Sequence, residues 1–280
     1  MVVANYNFLT EVLENLGFKN GLFNDRLKSA MEMGLPKIEL KAMMEKKVGN
    51  FTFNVVLEKG DGKNLSSDQE RFWFANKIEV TYKKHGEETP KQHTFGLYKQ
   101  KGLPVEQMIN LMKGNYVHAS YRSTKTGQMV NKWQYVDFRS FNKNGEHPLN
   151  SIYDDRIQWN ITKELSALPH INGMTQEMKE DLLRALRNGD DVAVSLRVNG
   201  KKEDLYLKAN PRSAQIDVFN GEGEKVVLTK PSFQLMEEHS TKEDLAMGAM
   251  TLASTEKVNK EEPAKNLAKE EKKGKGASIK

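Results

Sequence analysis

Aromatic rings stand beside basic side chains at several points of the sequence, and this arrangement has the clearest chemical meaning. Proteins that bind single-stranded nucleic acid place stacking rings and cations together on a sheet. The alternative is that the tryptophans fill the core while the bases face water on the outer side of the sheet. The candidate contacts for nucleic acid are Arg71, Trp73, Lys83, Lys84, Lys99, Lys101, Arg122, Lys132 and Trp133.

The distribution of charge favours the structural alternative. The chain has 280 residues and a formal net charge of +5. Residues 255–280 contain eight Lys and five Glu and so carry +3, which leaves only +2 for residues 1–254. A dedicated nucleic-acid binder has a strongly basic footprint. We therefore expect an unidentified protein partner first and nucleic acid second.

Two pairs of adjacent carboxylates are candidates for acid–base or metal chemistry, Asp154-Asp155 and Asp190-Asp191. Adjacent side chains on a strand point to opposite faces, so neither pair shares a proton without a partner from elsewhere. Asp190 and Asp191 follow a glycine that ends a helix, which predicts two solvated carboxylates at a strand entry. The role of Asp154 and Asp155 stays open, with a metal or acid–base role as the minority interpretation.

The histidines and glycine-rich loops match no known catalytic pattern. No two His residues have the i, i+4 spacing that places two imidazoles on one helix face. His93 and His118 are interpreted as solvated or capped side chains on strands. The loop at residues 60–64 lacks the upstream glycine and the following helix of a P-loop. Because Cys is absent, disulfides and thiol nucleophiles are excluded. We expect no enzymatic activity, no cofactor and no bound metal.

One local sequence pattern occurs three times, and the helices and strands that it predicts must position the candidate side chains. An amphipathic helix ends at a glycine, and two strands that form a hairpin follow. The glycines are Gly34, Gly114 and Gly189. Glycine suits a helix end because it adopts the left-handed conformation without steric cost. The recurrence of the whole pattern indicates a weak internal repeat.

Strands are predicted where apolar and polar residues alternate. The first copy shows this for Ile38, Leu40, Ala42 and Met44, and again for Phe51, Phe53, Val55 and Leu57, with a turn near Gly49-Asn50. In the third copy, Asn199-Gly200 is the dipeptide that tight hairpin turns favour. An opening pair of helices is predicted at residues 8–16 and 24–33. The expected fold is α+β, with repeated helix–antiparallel hairpin units whose short helices pack on one face of antiparallel sheets.

Several segments resemble a family of uncharacterised bacterial hypothetical proteins. They are residues 13–18, 72–80, 94–98 and 111–114, which follow one another in the family's order. The third copy, at residues 186–210, resembles an uncharacterised bacterial module that recurs in tandem on mobile elements. The resemblance covers most of residues 8–228 and concerns structural glycines and core positions. It therefore implies a fold and a lineage, and it assigns no active site.

Five segments make up the predicted organisation. They are a helical pair with the first unit (1–101), the second unit (102–170), the third unit (171–232), a possible short helix (233–254) and a disordered Lys/Glu-rich tail (255–280). No apolar run approaches the roughly 20 residues that span a bilayer, and no secretory signal is recognisable, so we expect a cytoplasmic protein. The predicted function is that of a non-catalytic protein-binding or accessory factor. The alternative is a nucleic-acid-binding accessory protein of a mobile element.

Overall fold

The computed structural model describes residues 3–60, 71–123, 126–143, 145–168, 171, 174–198 and 201–226. Three predicted features lie outside these residues: the short helix at 233–254, the tail at 255–280 and the Asn199-Gly200 turn. The same holds for residues 61–64 of the glycine-rich loop.

The described residues contain five α-helices and ten strands. The helices are α1 (Val3–Asn15), α2 (Asn24–Glu32), α3 (Val105–Lys113), α4 (Ile161–Ala167) and α5 (Gln176–Asn188). The strands are β1 (Lys37–Lys46), β2 (Gly49–Lys59), β3 (Trp73–Lys84), β4 (Lys91–Gly96), β5 (Val117–Arg122), β6 (Met129–Val136), β7 (Leu149–Tyr153), β8 (Val192–Val198), β9 (Lys201–Asn210) and β10 (Gln215–Phe219). A 3₁₀ turn at Asp154–Arg156 follows β7.

The first four strands form an antiparallel sheet in the order β1-β2-β3-β4. Every second residue along most of β1 is buried, as the alternation in the sequence predicts. Helices α1, α2 and α3 supply the apolar side chains that cover this inner face. The ring of Phe18 packs edge-on against Phe53 of β2, with ring centroids 5.7 Å apart. Helices packed on one face of an antiparallel sheet are therefore observed here.

Two further sheets, each of three antiparallel strands, follow. One has the order β5-β6-β7 and the other the order β10-β9-β8. The predicted α+β class with antiparallel sheets is confirmed. The finer prediction of a repeated helix–hairpin unit is not confirmed, because the sheets differ in strand number and α3 packs on the first sheet rather than only on its own hairpin.

The apolar side chains form two separate cores. The first lies between α1, α2, α3 and the four-stranded sheet. The second lies between α4, α5 and the last three strands. The middle sheet contributes to both, since Val117 and Val136 belong to the first core and Trp133 belongs to the second. The domain limits stay predictions, although α3 completes a core that begins before residue 101.

The predicted helices and turns differ from the structure in detail. The first helix begins at Val3, five residues before the predicted start. The first hairpin turns at residues 47–48 and not at Gly49-Asn50, because Lys46 pairs with Gly49 and the strand β2 has already begun there. Strand β7 and helix α4 were not expected, since their short segments carry little periodicity.

Candidate functional site

Trp73 and Trp133 point into the protein. Each is only 2% exposed. The indole of Trp73 donates a hydrogen bond to the carbonyl of Leu35 at 2.8 Å. Its backbone N–H donates to the side chain of Asn5 at 2.9 Å, which ties α1 to β3. Neither tryptophan offers a ring face to a nucleobase, so the interpretation of these two residues as stacking platforms is corrected.

The predicted cationic contacts are scattered, and all but the half-buried Lys132 are exposed. Arg71 precedes β3 and Lys83 lies near its far end. At about 3.3 Å per residue, the twelve steps between them put them roughly 40 Å apart. Lys84 forms an ion pair with Glu87 at 2.9 Å. Arg71 therefore lies at the opposite end of β3 from Lys83 and Lys84, and the three cations do not share one surface.

The remaining cations lie around other aromatic rings. The ammonium of Lys99 is 5.5 Å from the ring centre of Tyr98, and Lys101 pairs through its backbone with the same residue. The ammonium of Lys132 lies 5.2 Å from the ring of Tyr121. Burial lowers the pKa of Lys132. The side chain of Arg122 is exposed at the end of β5. Cation–π contacts of this kind hold lysines on rings of their own chain.

An exposed apolar surface lies where β3 begins. Phe72 and Phe74 flank Trp73 and are 44% and 41% exposed, because alternate strand residues point to opposite faces. Met33 and Leu35 are also exposed, and the carbonyl of Leu35 meets the indole of Trp73. We call these four exposed residues, Met33, Leu35, Phe72 and Phe74, the Phe72 patch. Its aromatic members belong to the run that the sequence analysis singled out.

The rest of the outer face of the first sheet carries paired charges. Lys37 and Glu39 form an ion pair at 2.5 Å, and Lys77 and Glu79 form one at 2.7 Å. Asn54, on the strand between them, donates to Glu79 at 2.9 Å. The hydrogen bonds from Lys77 and Asn54 lower the pKa of Glu79. This face is therefore balanced in charge, in contrast to the basic surface that nucleic-acid binding would need.

A second candidate site lies in the middle sheet, where His118 meets Asp154. His118 on β5 pairs with Trp133 on β6, and Trp133 pairs with Ile152 on β7. Asp154 begins the 3₁₀ turn two residues later, and its carboxylate lies 2.8 Å from Nε2 of His118. The other oxygen of Asp154, Oδ1, is buried without a hydrogen-bond partner. Of the two interpretations of His118, solvated or capped, the structure agrees with the capped side chain.

The ring of Trp159 lies beside the His118–Asp154 pair and is held by several contacts. Its ring centre lies 5.4 Å from that of Trp133. Its indole N–H donates a short hydrogen bond to Glu164. The other oxygen of Glu164 accepts the backbone N–H of Ile216 at 2.7 Å, which links α4 to β10. The position of the Trp159 ring is therefore fixed by two elements of the second core.

Two recesses share Trp159 and Asn160. The smaller, of about 250 Å³, is also lined by His118, Asp154 and Arg187. The larger, of about 590 Å³, opens toward Lys163 and Glu164. Ligand sites of soluble proteins have volumes of about 300 to 1,000 Å³ and combine apolar walls with a few polar groups. We call the two recesses together the Trp159 cleft.

Asp190 and Asp191 belong to a polar network between the two cores. The amide of Asn110 donates to Asp190 at 2.6 Å and to the carbonyl of Asn188 at 2.9 Å. Asn115 donates to Asp191 and to the carbonyl of Gly189, both at 2.8 Å. The two carboxylates bind protein groups of the opposite core, so the prediction that they are merely solvated at a strand entry is wrong.

The two adjacent carboxylates have opposite electrostatic surroundings. Burial raises the pKa of Asp190, and this outweighs the hydrogen bond from Asn110. Burial also favours a higher pKa for Asp191, but the charges of Lys113 and Lys208 outweigh it and lower the pKa. The lysines lie 3.4 and 3.1 Å from the Asp191 carboxylate. Asp191 is thus an ion-paired group, whereas Asp190 is a half-buried carboxylate with an amide partner.

His93 is buried rather than solvated, which corrects the interpretation from the sequence. Its ring packs edge-on against Phe95 with centroids 4.5 Å apart. Its Nδ1 atom is buried without a hydrogen-bond partner. Burial lowers the pKa of His93. A neutral imidazole that fills part of the core explains these observations.

No family model, no curated protein and no solved structure matches the chain. Across the described part of the chain, no helix is long and apolar enough to cross a membrane. In the same residues, no three His, Asp or Glu side chains are grouped so that they could hold a metal ion. The resemblance to bacterial hypothetical proteins, the cytoplasmic location and the lack of enzymatic activity stay predictions.

Proposed function

We propose that the protein is a non-catalytic binding protein, an accessory factor that docks a partner protein on the Phe72 patch. The observation that supports this is the exposure of four large apolar side chains at one end of the first sheet. Exposed apolar patches on soluble proteins often mark interaction sites. Aromatic side chains are also enriched among the residues that contribute most to interface affinity.

The surroundings of the patch indicate what kind of partner it fits. The outer face beside it carries the ion pairs Lys37–Glu39 and Lys77–Glu79 and has no excess of either sign there. A charged partner would gain little from such a face, since exposed ion pairs already satisfy each other. We therefore propose a partner with an apolar contact surface and a mixed-charge rim, the usual anatomy of protein–protein interfaces.

Affinity capture with the full chain tests this proposal. We compare the wild type, the double variant Phe72→Ser/Phe74→Ser and the control Tyr98→Ser, which changes an exposed ring outside the patch. A partner should be retained by the wild type and the control and lost by the double variant, while circular dichroism shows that all three are folded. Capture of the same proteins by all three, or turnover of a nucleotide or phosphoester by the isolated protein, contradicts the proposal.

The alternative, a nucleic-acid-binding accessory protein, is supported by one observation on the same patch. Phe72 and Phe74 present their rings on the open face of a sheet, next to the exposed Arg71. Rings two residues apart on a strand are the arrangement on which bases stack. Fluorescence anisotropy with single- and double-stranded oligonucleotides at two salt concentrations tests it. Binding at micromolar protein that weakens with salt supports the alternative, and no such binding removes it.

We also propose that the chain arose by repetition of one helix–hairpin unit. This proposal is more specific than the assignment to the α+β class. In each copy the glycine N–H bonds to the carbonyl three residues back, and the next N–H bonds to the carbonyl five residues back. Strands β1, β5 and β8 each begin three residues after the glycine. Such a helix end is common in proteins and does not by itself indicate repetition. Superposition of the three units on one another tests the proposal. A helix that crosses its strands with a different orientation in each unit would contradict it.

A further inference from the structure

We propose that the Trp159 cleft binds a small ligand in which a flat ring is joined to a phosphate, as in a nucleoside monophosphate. The ring stacks on Trp159 and the phosphate lies between His118 and Arg187. This site is separate from the Phe72 patch, and it goes beyond the proposed function. Its side chains come from the middle sheet, from the segment between β7 and α4, and from α4 and α5.

The requirement for a flat ring follows from the rigidity of Trp159. Glu164 holds the indole nitrogen and Trp133 supports the ring, so the indole loses little freedom when a ligand stacks on it. Bases stack favourably on aromatic side chains, and this contact tolerates any base because each has a flat face. Trp133 itself is buried and acts as a support. Trp159 is half-buried and is therefore the ring that a ligand reaches.

The requirement for an anion follows from the charges around the cleft. Arg187 lines the smaller recess and Lys163 the larger one. Both side chains are exposed, and neither belongs to an ion pair within the described part of the chain. The carboxylate of Asp154 already faces His118 at 2.8 Å. Each recess contains one cation and one carboxylate, Arg187 with Asp154 and Lys163 with Glu164. The carboxylates already have hydrogen-bond partners in His118, Trp159 and Ile216. The two cations are therefore left to bind an anion, and a guanidinium matches the oxygens of a phosphate.

The His118–Asp154 pair serves to position one more phosphate ligand. Because Asp154 accepts a hydrogen bond from Nε2–H, the ring of His118 is held in one orientation. In the phosphate complex the ring is an imidazolium, so Nδ1–H also donates, to a phosphate oxygen. Nδ1 forms no hydrogen bond to any described residue. The hydroxyl of Thr162 lines the same recess. In this arrangement His118 and Arg187 bind the phosphate directly, and Asp154 is a positioning residue.

Titration of the full chain with AMP, followed by ¹H–¹⁵N spectra of the indole groups, tests the proposal. The chain has three Trp, and the variant Trp159→Phe identifies the signal of Trp159. AMP should shift that signal in a saturable manner. Adenosine, which lacks the phosphate, and inorganic phosphate, which lacks the ring, should each bind at least about tenfold more weakly, which corresponds to roughly 1.4 kcal/mol.

A matched pair of variants on α5 localises the phosphate. Arg187→Gln removes the cation that lines the cleft, whereas Arg184→Gln removes an exposed cation one turn earlier that pairs with Asp181. AMP affinity should fall about tenfold in Arg187→Gln and stay unchanged in Arg184→Gln. His118→Asn should also weaken AMP binding but leave adenosine binding unchanged. The proposal is overturned if AMP causes no saturable shift up to about 1 mM, or if Arg184→Gln and Arg187→Gln behave alike.

Discussion

The helix ends at Gly114 and Gly189 have the same local structure and very different surroundings. Both glycines adopt the left-handed conformation, with φ of 92° and 84°. A Cβ atom added at Gly114 would meet nothing within 4 Å. One added at Gly189 would lie 2.7 Å from the carbonyl oxygen of Tyr116 and 3.0 Å from a methyl group of Val117. One sequence pattern therefore produces a tolerant surface turn in one place and a tightly packed junction in the other.

The junction exists because the two helix ends face each other. Asn110 and Asn115, at the end of α3, bind the carbonyls of Asn188 and Gly189 at the end of α5. The last carbonyls of a helix have no hydrogen-bond partner within the helix. The two asparagine amides supply the missing donors for these carbonyls. The contact joins the first core to the second through polar groups. Its stability contribution should therefore exceed that of an ordinary helix end.

Gly189→Ala should have the largest effect. The new methyl group clashes with the backbone at Tyr116 and forces a non-glycine residue into the left-handed region. These costs together predict a loss of about 3 kcal/mol in the free energy of unfolding. Urea unfolding followed by circular dichroism measures it. If Gly189→Ala and Gly114→Ala lose the same amount, the junction does not have the tight packing described.

Asn110→Ala should come next. It removes the amide that binds Asn188 and Asp190, and so leaves a carbonyl and a half-buried carboxylate with fewer partners. A loss of about 2 kcal/mol is expected in the same unfolding measurement. The control is Asn131→Ala, which removes an exposed side chain that accepts a hydrogen bond from Ser120 and should change stability by less than about 0.5 kcal/mol. Equal losses in both variants would mean that the network contributes nothing specific.

The neighbouring carboxylates should respond to substitution in opposite directions. The pKa of Asp191 is lowered in the folded state, so its stabilisation is present above the unfolded pKa and is lost as the pH falls through the folded pKa. Asp191→Asn should lose about 1.5 kcal/mol at neutral pH and less in acid. The pKa of Asp190 is raised in the folded state. Ionisation of this carboxyl therefore opposes folding as the pH rises from its unfolded pKa to its folded pKa.

Asp190→Asn should therefore keep or slightly increase stability at neutral pH, because the amide oxygen still accepts the bond from Asn110. Unfolding curves of both variants between pH 3 and pH 7 give the comparison. A loss at neutral pH in Asp190→Asn as large as that in Asp191→Asn would show that both carboxylates are ion-paired.

Gly114→Ala and Gly34→Ala should have small and nearly equal effects. A Cβ atom at either glycine meets nothing within 4 Å, so only the left-handed backbone opposes it. About 1 kcal/mol is expected for each. Thermal or urea unfolding measures both. A clearly larger loss for one of them would reveal a contact that tightens that helix end in solution.

Much of the first sheet could be predicted from the alternation of residues. Ile38 and Leu40 on β1, and Phe51 and Phe53 on β2, are buried as their spacing indicates. The alternation is sufficient there because helices cover one face of the sheet and the other face is open. The polarity of a side chain therefore indicates which face it lies on. The shifted turn at residues 47–48 shows the limit, since β2 begins at Gly49, a residue type that marks turns elsewhere.

The candidate sites could be predicted only in part. Phe72 and Phe74 were found as part of an aromatic run, but the burial of Trp73 between them depends on which face the helices cover. His118 and Asp154 are 36 residues apart and meet only through the register of three strands. Asp154 was left open for this reason. Trp159 gained a role only through Glu164 and Trp133, which no sequence spacing connects.

The sequence by itself determined the elements that depend on near neighbours. The helix-ending glycines, the alternating strands and the α+β class follow from backbone preferences and from periodic burial, which act over a few residues. The tertiary structure decided which of these elements touch. It alone placed Gly189 against Tyr116, paired His118 with Asp154 and turned two predicted contact tryptophans inward. Such contacts depend on packing between segments far apart in the chain, and local residue preferences do not encode that packing.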